Sequence, residues 1–387
     1  MLQNCYDRPF FNRRWLFWSG TVCLFAAVFS LGAAESAAPE AEASLYDKIW
    51  RYTELYEGAE NPVIQHLRFT GRFQLDYALL DADQGHHDEW NIRRFRLGLE
   101  TKLFQDFTVH GEVDINPQEA NPTYVRMTDM YVSWTESKGF RITAGKHSAP
   151  FTMDGSTSSR ELITVDRSNL ANNLWFPQEY FPGVSVSGSP GQWRYWAGIY
   201  SSGEANRNFG EFNGGVFVLT TLGYDFGKML DAKQAVLAVN YVYNEQDENN
   251  SFTRSLQNVG SLNFSLDTGK WGVRTDLAGA TGYLGQGDLW GGMLMPFYNI
   301  TDKFQVVGRY THLAGEDNSL RLALYENTIV SGRGDEYNEV YLGLNYYFYG
   351  HKLKLQTGVQ YAEMKDHAGD GGAYRGWAWT TGLRISW

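Results

Sequence analysis

The chain has 387 residues, with 33 basic against 44 acidic side chains and a formal net charge of −11. That balance argues against nonspecific nucleic-acid binding, and no apolar run after residue 34 is long enough for a membrane-spanning helix. Aromatics make up 16% of residues and Gly outnumbers Pro 41 to 10, which suits strands with one apolar face and aromatic girdles.

The N-terminus reads as a secretion signal over residues 1–34. Arg8, Arg13 and Arg14 form a positive region, Trp15 to Leu31 is apolar, and Gly32-Ala33-Ala34 offers small residues for cleavage. An uncleaved membrane anchor is the alternative reading of a run this long. Cys5 and Cys23 both fall in the segment expected to be removed, so the mature chain would hold no disulfide or cysteine zinc site. It would carry 30 basic and 43 acidic residues, a net −13.

Residues 35–65 read as an acidic linker followed by a short periplasmic helix over 44–57. Leu45, Ile49, Tyr52 and Tyr56 recur at helical spacing and Ser44 is a plausible N-cap. A plug or a partner-binding helix is the other reading of this element.

From residue 66 to 387 the pattern changes to period two. About sixteen strands of the length a tilted membrane strand needs can be placed: 66–80, 90–103, 106–116, 124–136, 139–147, 183–189, 192–201, 214–226, 233–244, 255–266, 270–283, 288–299, 303–314, 336–349, 351–363 and 374–387. The first sets Leu67, Phe69, Phe73, Leu75, Tyr77 and Leu79 against Arg68, Thr70, Arg72, Gln74 and Asp76. The last sets Trp377, Trp379, Leu383, Ile385 and Trp387 against Ala378, Thr380, Gly382, Arg384 and Ser386. Connections after even strands are short; those after odd strands are long, apart from 284–287. A soluble sandwich has no reason to sort its loops this way, whereas outer-membrane barrels have short periplasmic turns and longer outer loops. The expected fold is therefore all-β: a transmembrane antiparallel β-barrel of about sixteen strands.

The connection over 148–182 is the longest. A featureless loop of this length is uncommon unless it is functional. It carries Phe151, Met153, Leu162, Ile163, Trp175 and Phe176, which call for a wall to pack on. The expectation is a third outer loop folded into the lumen as a constriction.

A series of short motifs runs through this region: Arg93-Arg-Phe-Arg-Leu-Gly-Leu-Glu100, Gly111-Glu-Val-Asp114, Met130-Tyr-Val-Ser-Trp134 and Gly145-Lys-His-Ser-Ala-Pro-Phe-Thr-Met-Asp154. Ser158-Ser-Arg160, Asp166-Arg167 and Gly183-Val-Ser-Val-Ser-Gly188 follow. In this order they resemble the phosphate-selective porin O/P family of Gram-negative outer membranes, over about residues 66–190. The resemblance implies a sixteen-stranded homotrimeric barrel, a constriction loop after the fifth strand, and lumenal basic residues that conduct anions. Two departures stand out. Asp166-Arg167 replaces the usual Glu-Arg pair, and Gly155 stands where phosphate-selective members carry a lysine after the acid matching Asp154.

A porin selects by pore width and by charged side chains at its narrowest point. Period-two parity turns Arg68, Arg72, Arg94, Arg96, Arg141, Arg274, Arg309, Lys352 and Lys354 inward, with Asp76, Glu100, Glu112, Asp114 and Asp276. In the loop, Arg160 and Arg167 are the first candidates to meet an anion, with Asp154 and Asp166 beside them. The competing reading is that these charges pair across the wall and hydrate the lumen. The acidic and histidine-rich stretch Asp81 to Glu89 reads as a solvated outer loop, with calcium binding as the alternative.

These observations lead to an outer-membrane porin for small hydrophilic solutes, anions such as phosphate foremost. A non-selective or cation-preferring general-diffusion porin is the alternative. A structural barrel, or an enzymatic one built around His147 and Ser148, is a further one. No cofactor is required. Expected partners are outer-membrane lipid and lipopolysaccharide, and the barrel-assembly machinery, which would read the aromatic end at Trp387.

Overall fold

The computed structural model describes residues 44–118, 123–174, 179–203, 209–210, 214–250 and 253–387. The expected signal peptide and linker, and Trp175 and Phe176 of the long loop, lie outside the described residues. The chain falls into two units, Met1–Ile49 and Trp50–Trp387. Helix α1 (Leu45–Arg51) opens on a capping box in which Asp47 N donates to Ser44 Oγ and Ser44 N donates to Asp47 Oδ2.

The helix is shorter than the expected 44–57. Thr53 turns back on it, its Oγ donating to Trp50 O at 2.7 Å. Glu54–Glu57 then forms a short strand, β1, antiparallel to the next one. The reason lies in the ladder. Pairing from the C-terminal strand and Trp387 reaches residues 71–82, so residues 66–68 would expose unpaired backbone groups, and β1 satisfies them.

Sixteen strands then follow in antiparallel succession. They begin with β2 (Ile64–Ala82), β3 (Gly85–Leu103), β4 (Phe107–Ile115), β5 (Tyr124–Ser137), β6 (Phe140–Ser148), β7 (Tyr180–Gly188) and β8 (Trp193–Ser201). The second half comprises β9 (Val216–Asp225), β10 (Gln234–Asn244), β11 (Leu256–Asp267), β12 (Trp271–Gly282) and β13 (Leu289–Asn299). It ends with β14 (Phe304–Gly315), β15 (Glu336–Tyr349), β16 (Leu353–Lys365) and β17 (Tyr374–Ser386). Pairing of β17 with β2 from Gly376↔Ala82 to Ser386↔Arg72 closes the sheet. A closed sheet leaves no lateral edge to satisfy in lipid.

Burial is inverted relative to a water-soluble sandwich. On β15, Val340 and Leu342 are 57% and 60% exposed while Tyr341 between them is 4% exposed. The interior instead holds Asp76, Glu112, Asp276, Arg96, Lys354 and Gln356, all buried. Apolar residues therefore face outward, where lipid meets them, and polar ones inward.

One connection departs from expectation. Residues 81–89 are not a loop: β2 and β3 run on to a turn at Asp83 and Gln84, with Gly85 at φ 153°. The ligand-like side chains pair within this hairpin, His86 with Asp81 at 2.8 Å and His87 with Glu89 at 3.6 Å. Among the described residues no cluster of His, Cys, Asp and Glu could hold a metal ion.

Candidate functional site

The 149–179 segment leaves β6 through Thr152, whose φ of 57° is rare for a β-branched residue. Its Oγ caps the single turn α2 (Met153–Ser156) by accepting from Gly155 N at 3.0 Å. Met153 N donates to Asp276 Oδ2 on β12 at 2.8 Å. Farther along, Asn345 of β15 donates to Ile163 O at 2.7 Å and Arg384 of β17 to Val165 O at 2.9 Å. Lys354 and Gln356 of β16 both reach Leu162 O. All of these partners lie on the buried, polar face of their strands. The loop thus takes its backbone partners from the inner wall, while Phe151, Leu162 and Ile163 are buried.

A second connection does the same. Residues 316–335, between β14 and β15, close on a Leu320–Gly334 bridge. They meet the first segment at helix α3 (Asn169–Leu174). Asn169 and Asn173 both donate to Arg321 O, at 2.9 and 3.0 Å, and Arg321 N donates to Asn173 Oδ1 at 2.8 Å. Asn172 donates to Leu322 O at 3.0 Å. On the wall side, Tyr325 donates its hydroxyl proton to Asp76 Oδ2 at 2.7 Å. Sequence reasoning treated 316–335 as an ordinary outer loop. Its run of Leu320, Leu322, Leu324, Tyr325 and Val330 is the same signal that marked 148–182.

Between the two segments and the wall lies a cavity of about 350 Å³. Arg93, Arg167, Arg254, Arg309 and Arg321 line it, against Asp166, Glu179 and Glu326.

The expected site residues fall into three groups. The first is an ion-pair network around Glu112, whose carboxylate lies 3.2 Å from Arg72, 3.6 Å from Arg96 and 3.5 Å from Arg160. Arg96 also meets Asp114 at 3.4 Å. The second group staples the loop. Arg167 pairs with Glu179 at 3.1 Å and donates to Asp154 O at 3.0 Å and Thr157 O at 2.7 Å. Arg94 stands 3.8 Å from the same Glu179, and Asp154 Oδ2 accepts from Ser168 N at 2.6 Å. Asp166 pairs with Arg93 at 3.6 Å, and its carbonyl accepts from Arg309 at 2.8 Å. The third group sits apart from this cavity. Arg68 pairs with Glu54 of β1 at 2.7 Å, and Arg141 donates to Ser133 Oγ at 2.8 Å. Arg141 belongs to another cavity, near the short 137–139 and 189–192 turns.

Burial pushes the Glu179 carboxyl up, but Arg167, Arg94 and Arg96 outweigh it and hold the group well below the usual range. Asp166 is likewise lowered, with burial opposing and Arg93 and Arg94 prevailing.

Three arginines on the connections, Arg254, Arg321 and Arg333, meet neutral acceptors instead. Arg321 and Arg333 each donate to the single Gln286 Oε1 at 3.2 Å, and Arg254 donates to Asn172 Oδ1 at 3.0 Å. Their acceptors are neutral amides, and Arg254 Nε is buried without a partner. Burial, then repulsion from Arg321 and Arg333, pushes Arg254 down to about 9. Burial and Arg333 lower Arg321 to about 10. Sequence parity passed over all three because they sit on connections, where period two says nothing about direction.

The family signature described as phosphate-selective porin O and P matches residues 67–293. The chain belongs to that family. No curated protein matches it. Among solved structures, OmpF of Salmonella typhi in complex with daunomycin is 11% identical, with a TM-score of 0.60, covering 86% of this chain and 100% of that one. A loop L8 deletion mutant of OmpT, an outer membrane protein of Vibrio cholerae, is 13% identical, with a TM-score of 0.57 and coverage of 83% and 99%. The outer membrane channel DcaP of Acinetobacter baumannii is 10% identical, with a TM-score of 0.55 and coverage of 86% and 100%. At such identities the likeness speaks for the fold alone. The porin is thus a closed sixteen-strand barrel of the outer membrane, crossing it with every strand.

Proposed function

We propose that this porin passively admits small hydrophilic solutes and prefers anions, phosphate among them. The observation that carries the reading is the Arg254, Arg321 and Arg333 group. We read the cavity between the two loops as the pore's eyelet; these guanidiniums sit at or beside it and face amide oxygens, where Arg93, Arg94, Arg167 and Arg309 face carboxylates. An anion can replace those neutral acceptors with a charge-assisted pair. At an effective dielectric of about 20, a guanidinium about 4 Å away attracts an anion by roughly 4 kcal/mol before desolvation. Arg72, Arg96 and Arg160 contribute less, because each already faces the Glu112 carboxylate and Arg96 also faces Asp114. With Gly155 in place of the family's lysine, the attraction would come from these outer arginines.

The reading is of a channel without covalent chemistry. His147 Nε2 lies 2.9 Å from Ser185 Oγ, but its Nδ1 faces Gly145 O at 2.9 Å, where a hydrolase would carry a carboxylate. Both side chains are buried under Tyr200 and Trp196. From the family we extend a homotrimeric assembly.

The test is the single-channel reversal potential under a chloride gradient, with and without phosphate. An anion-side potential and block of chloride current by phosphate are expected. A cation-side or near-zero potential that phosphate leaves unmoved would make this a general-diffusion porin.

A further inference from the structure

The 316–335 segment is held at Glu326 by a closed ring of polar groups. The Tyr337 hydroxyl lies 3.0 and 3.1 Å from the two Glu326 oxygens and 3.3 Å from Glu339 Oε2. Gln360 Nε2 donates to Glu326 Oε1 at 2.6 Å. Its own Oε1 accepts from Arg309 Nη2 at 3.4 Å, and Arg309 Nε meets Glu339 Oε1 at 2.6 Å. Both glutamates are 1% exposed.

Every carboxylate oxygen in the ring has a donor, Ala323 N at 3.1 Å on Glu326 Oε2 and Thr311 Oγ1 at 3.4 Å on Glu339 Oε1 included. The charges do not balance if both glutamates are ionised, because two buried negative charges bridged by one hydroxyl share one guanidinium. Like charges so placed disfavour joint ionisation. With a proton on Glu326 the ring is neutral. From β17, Tyr374 lies within electrostatic range of the same carboxyl.

We propose that residues 321–330 form a second constriction element, latched to the wall while Glu326, beside the charge of Glu339, keeps its proton, so that losing the proton loosens the segment and widens the pore. Burial, then the charge of Glu339, pushes the Glu326 carboxyl up to about 7. The sign follows from that direction. The latch is fully made below the ordinary carboxyl value of 4.5, weakens as pH rises, and is lost above about 7. In the titrating range each pH unit shifts the ratio of latched to loosened segment about tenfold. Because Arg321 rides on the same segment, loosening also draws a cation from the eyelet. The inference rests on solute passing between the two loops, as proposed above.

The experiment uses the full-length barrel in planar bilayers, with potassium chloride as the probe, from about pH 5 to about pH 9. Expected is a conductance that rises along a one-proton curve with its midpoint near 7. Glu326→Gln puts a neutral amide in place of the protonated carboxyl and should hold the low-pH conductance throughout. Tyr337→Phe removes a hydrogen bond that favours the ionised carboxylate and should move the midpoint to higher pH. A wild-type conductance that stays flat overturns the latch, and so does Glu326→Gln titrating like the wild type. Should Glu326→Gln fail to fold, an unmoved midpoint in Tyr337→Phe overturns it equally. Anion preference is read separately at about pH 5, with the latch closed, so its absence there would remove the selectivity reading and leave the latch standing.

Discussion

Trp387 and Gly71 exchange both main-chain hydrogen bonds, N to O at 3.1 Å in each direction. The Trp387 ring stacks with Phe69 at 5.9 Å and occupies the space beside Gly71. A Cβ on Gly71 would stand 2.4 Å from Arg96 O and 2.5 Å from Trp387 Cζ2. Gly71→Val should therefore disturb the β17–β2 seam, by about 1–3 kcal/mol as judged from overpacking elsewhere. A lower yield of heat-modifiable folded barrel on gels is the expected outcome. An unchanged yield would show that the seam tolerates the extra volume.

Arg167→Gln should free the first loop. The guanidinium links Glu179, Asp154 O and Thr157 O. Its removal leaves a buried carboxylate with Arg94 alone at 3.8 Å. Breaking a buried pair this way costs about 3–5 kcal/mol, concentrated on the loop. Faster proteolysis within 149–179 in detergent, with the strands intact by circular dichroism, is expected. Equal cleavage of variant and wild type would argue against the staple.

Arg254→Gln and Arg160→Gln each remove one positive charge from the lumen. Arg254 lines the eyelet cavity and faces an amide, whereas Arg160 sits 3.5 Å from Glu112 outside that lining. Loss of about 1 kcal/mol at the eyelet corresponds to a roughly fivefold fall in anion over cation permeability. Arg254→Gln should show it in the reversal potential and Arg160→Gln much less. Equal shifts would mean that total lumenal charge decides selectivity, not position.

Acid should leave the loop staple in place. Glu179 is held below its ordinary value of 4.5, so its contribution is present above that pH and is lost only as pH falls through the depressed value. Channel noise from loop motion should be the same at about pH 4 as at neutrality. This sign is opposite to that of Glu326, and a noisier channel at about pH 4 would show that the pair protonates early.

Much of the barrel was legible in the order of residues. Period-two alternation placed sixteen strands close to their observed bounds, because a strand between lipid and water must alternate, whatever its neighbours. The expectation failed where a neighbour set the geometry. The 81–89 stretch pairs on as strand because β2 and β3 offer each other partners, Leu79 to Asp88 and Asp81 to His86. The helix expected over 44–57 stops at Arg51 because β2 has free backbone groups for Glu54–Glu57. Arg93 turns toward Asp166 through the register shift at Gln74 and Leu75, which strict alternation does not foresee.

By itself the sequence determined the fold class, the strand succession, the sorting of short and long connections and the family. The first three follow from local periodicity and spacing, and the family from the resemblance of its ordered short motifs. Only the tertiary structure decided which charges remain available. Whether an arginine is spent on Glu112 or left facing an amide depends on residues distant in sequence, as Arg72 and Glu112 are, or Arg254 and Asn172. The second loop's place at the eyelet rests likewise on Tyr325 meeting Asp76 and Arg321 meeting Asn173. Electrostatic and hydrogen-bond partners are set by distance in space, and barrel closure is what brings these residues together.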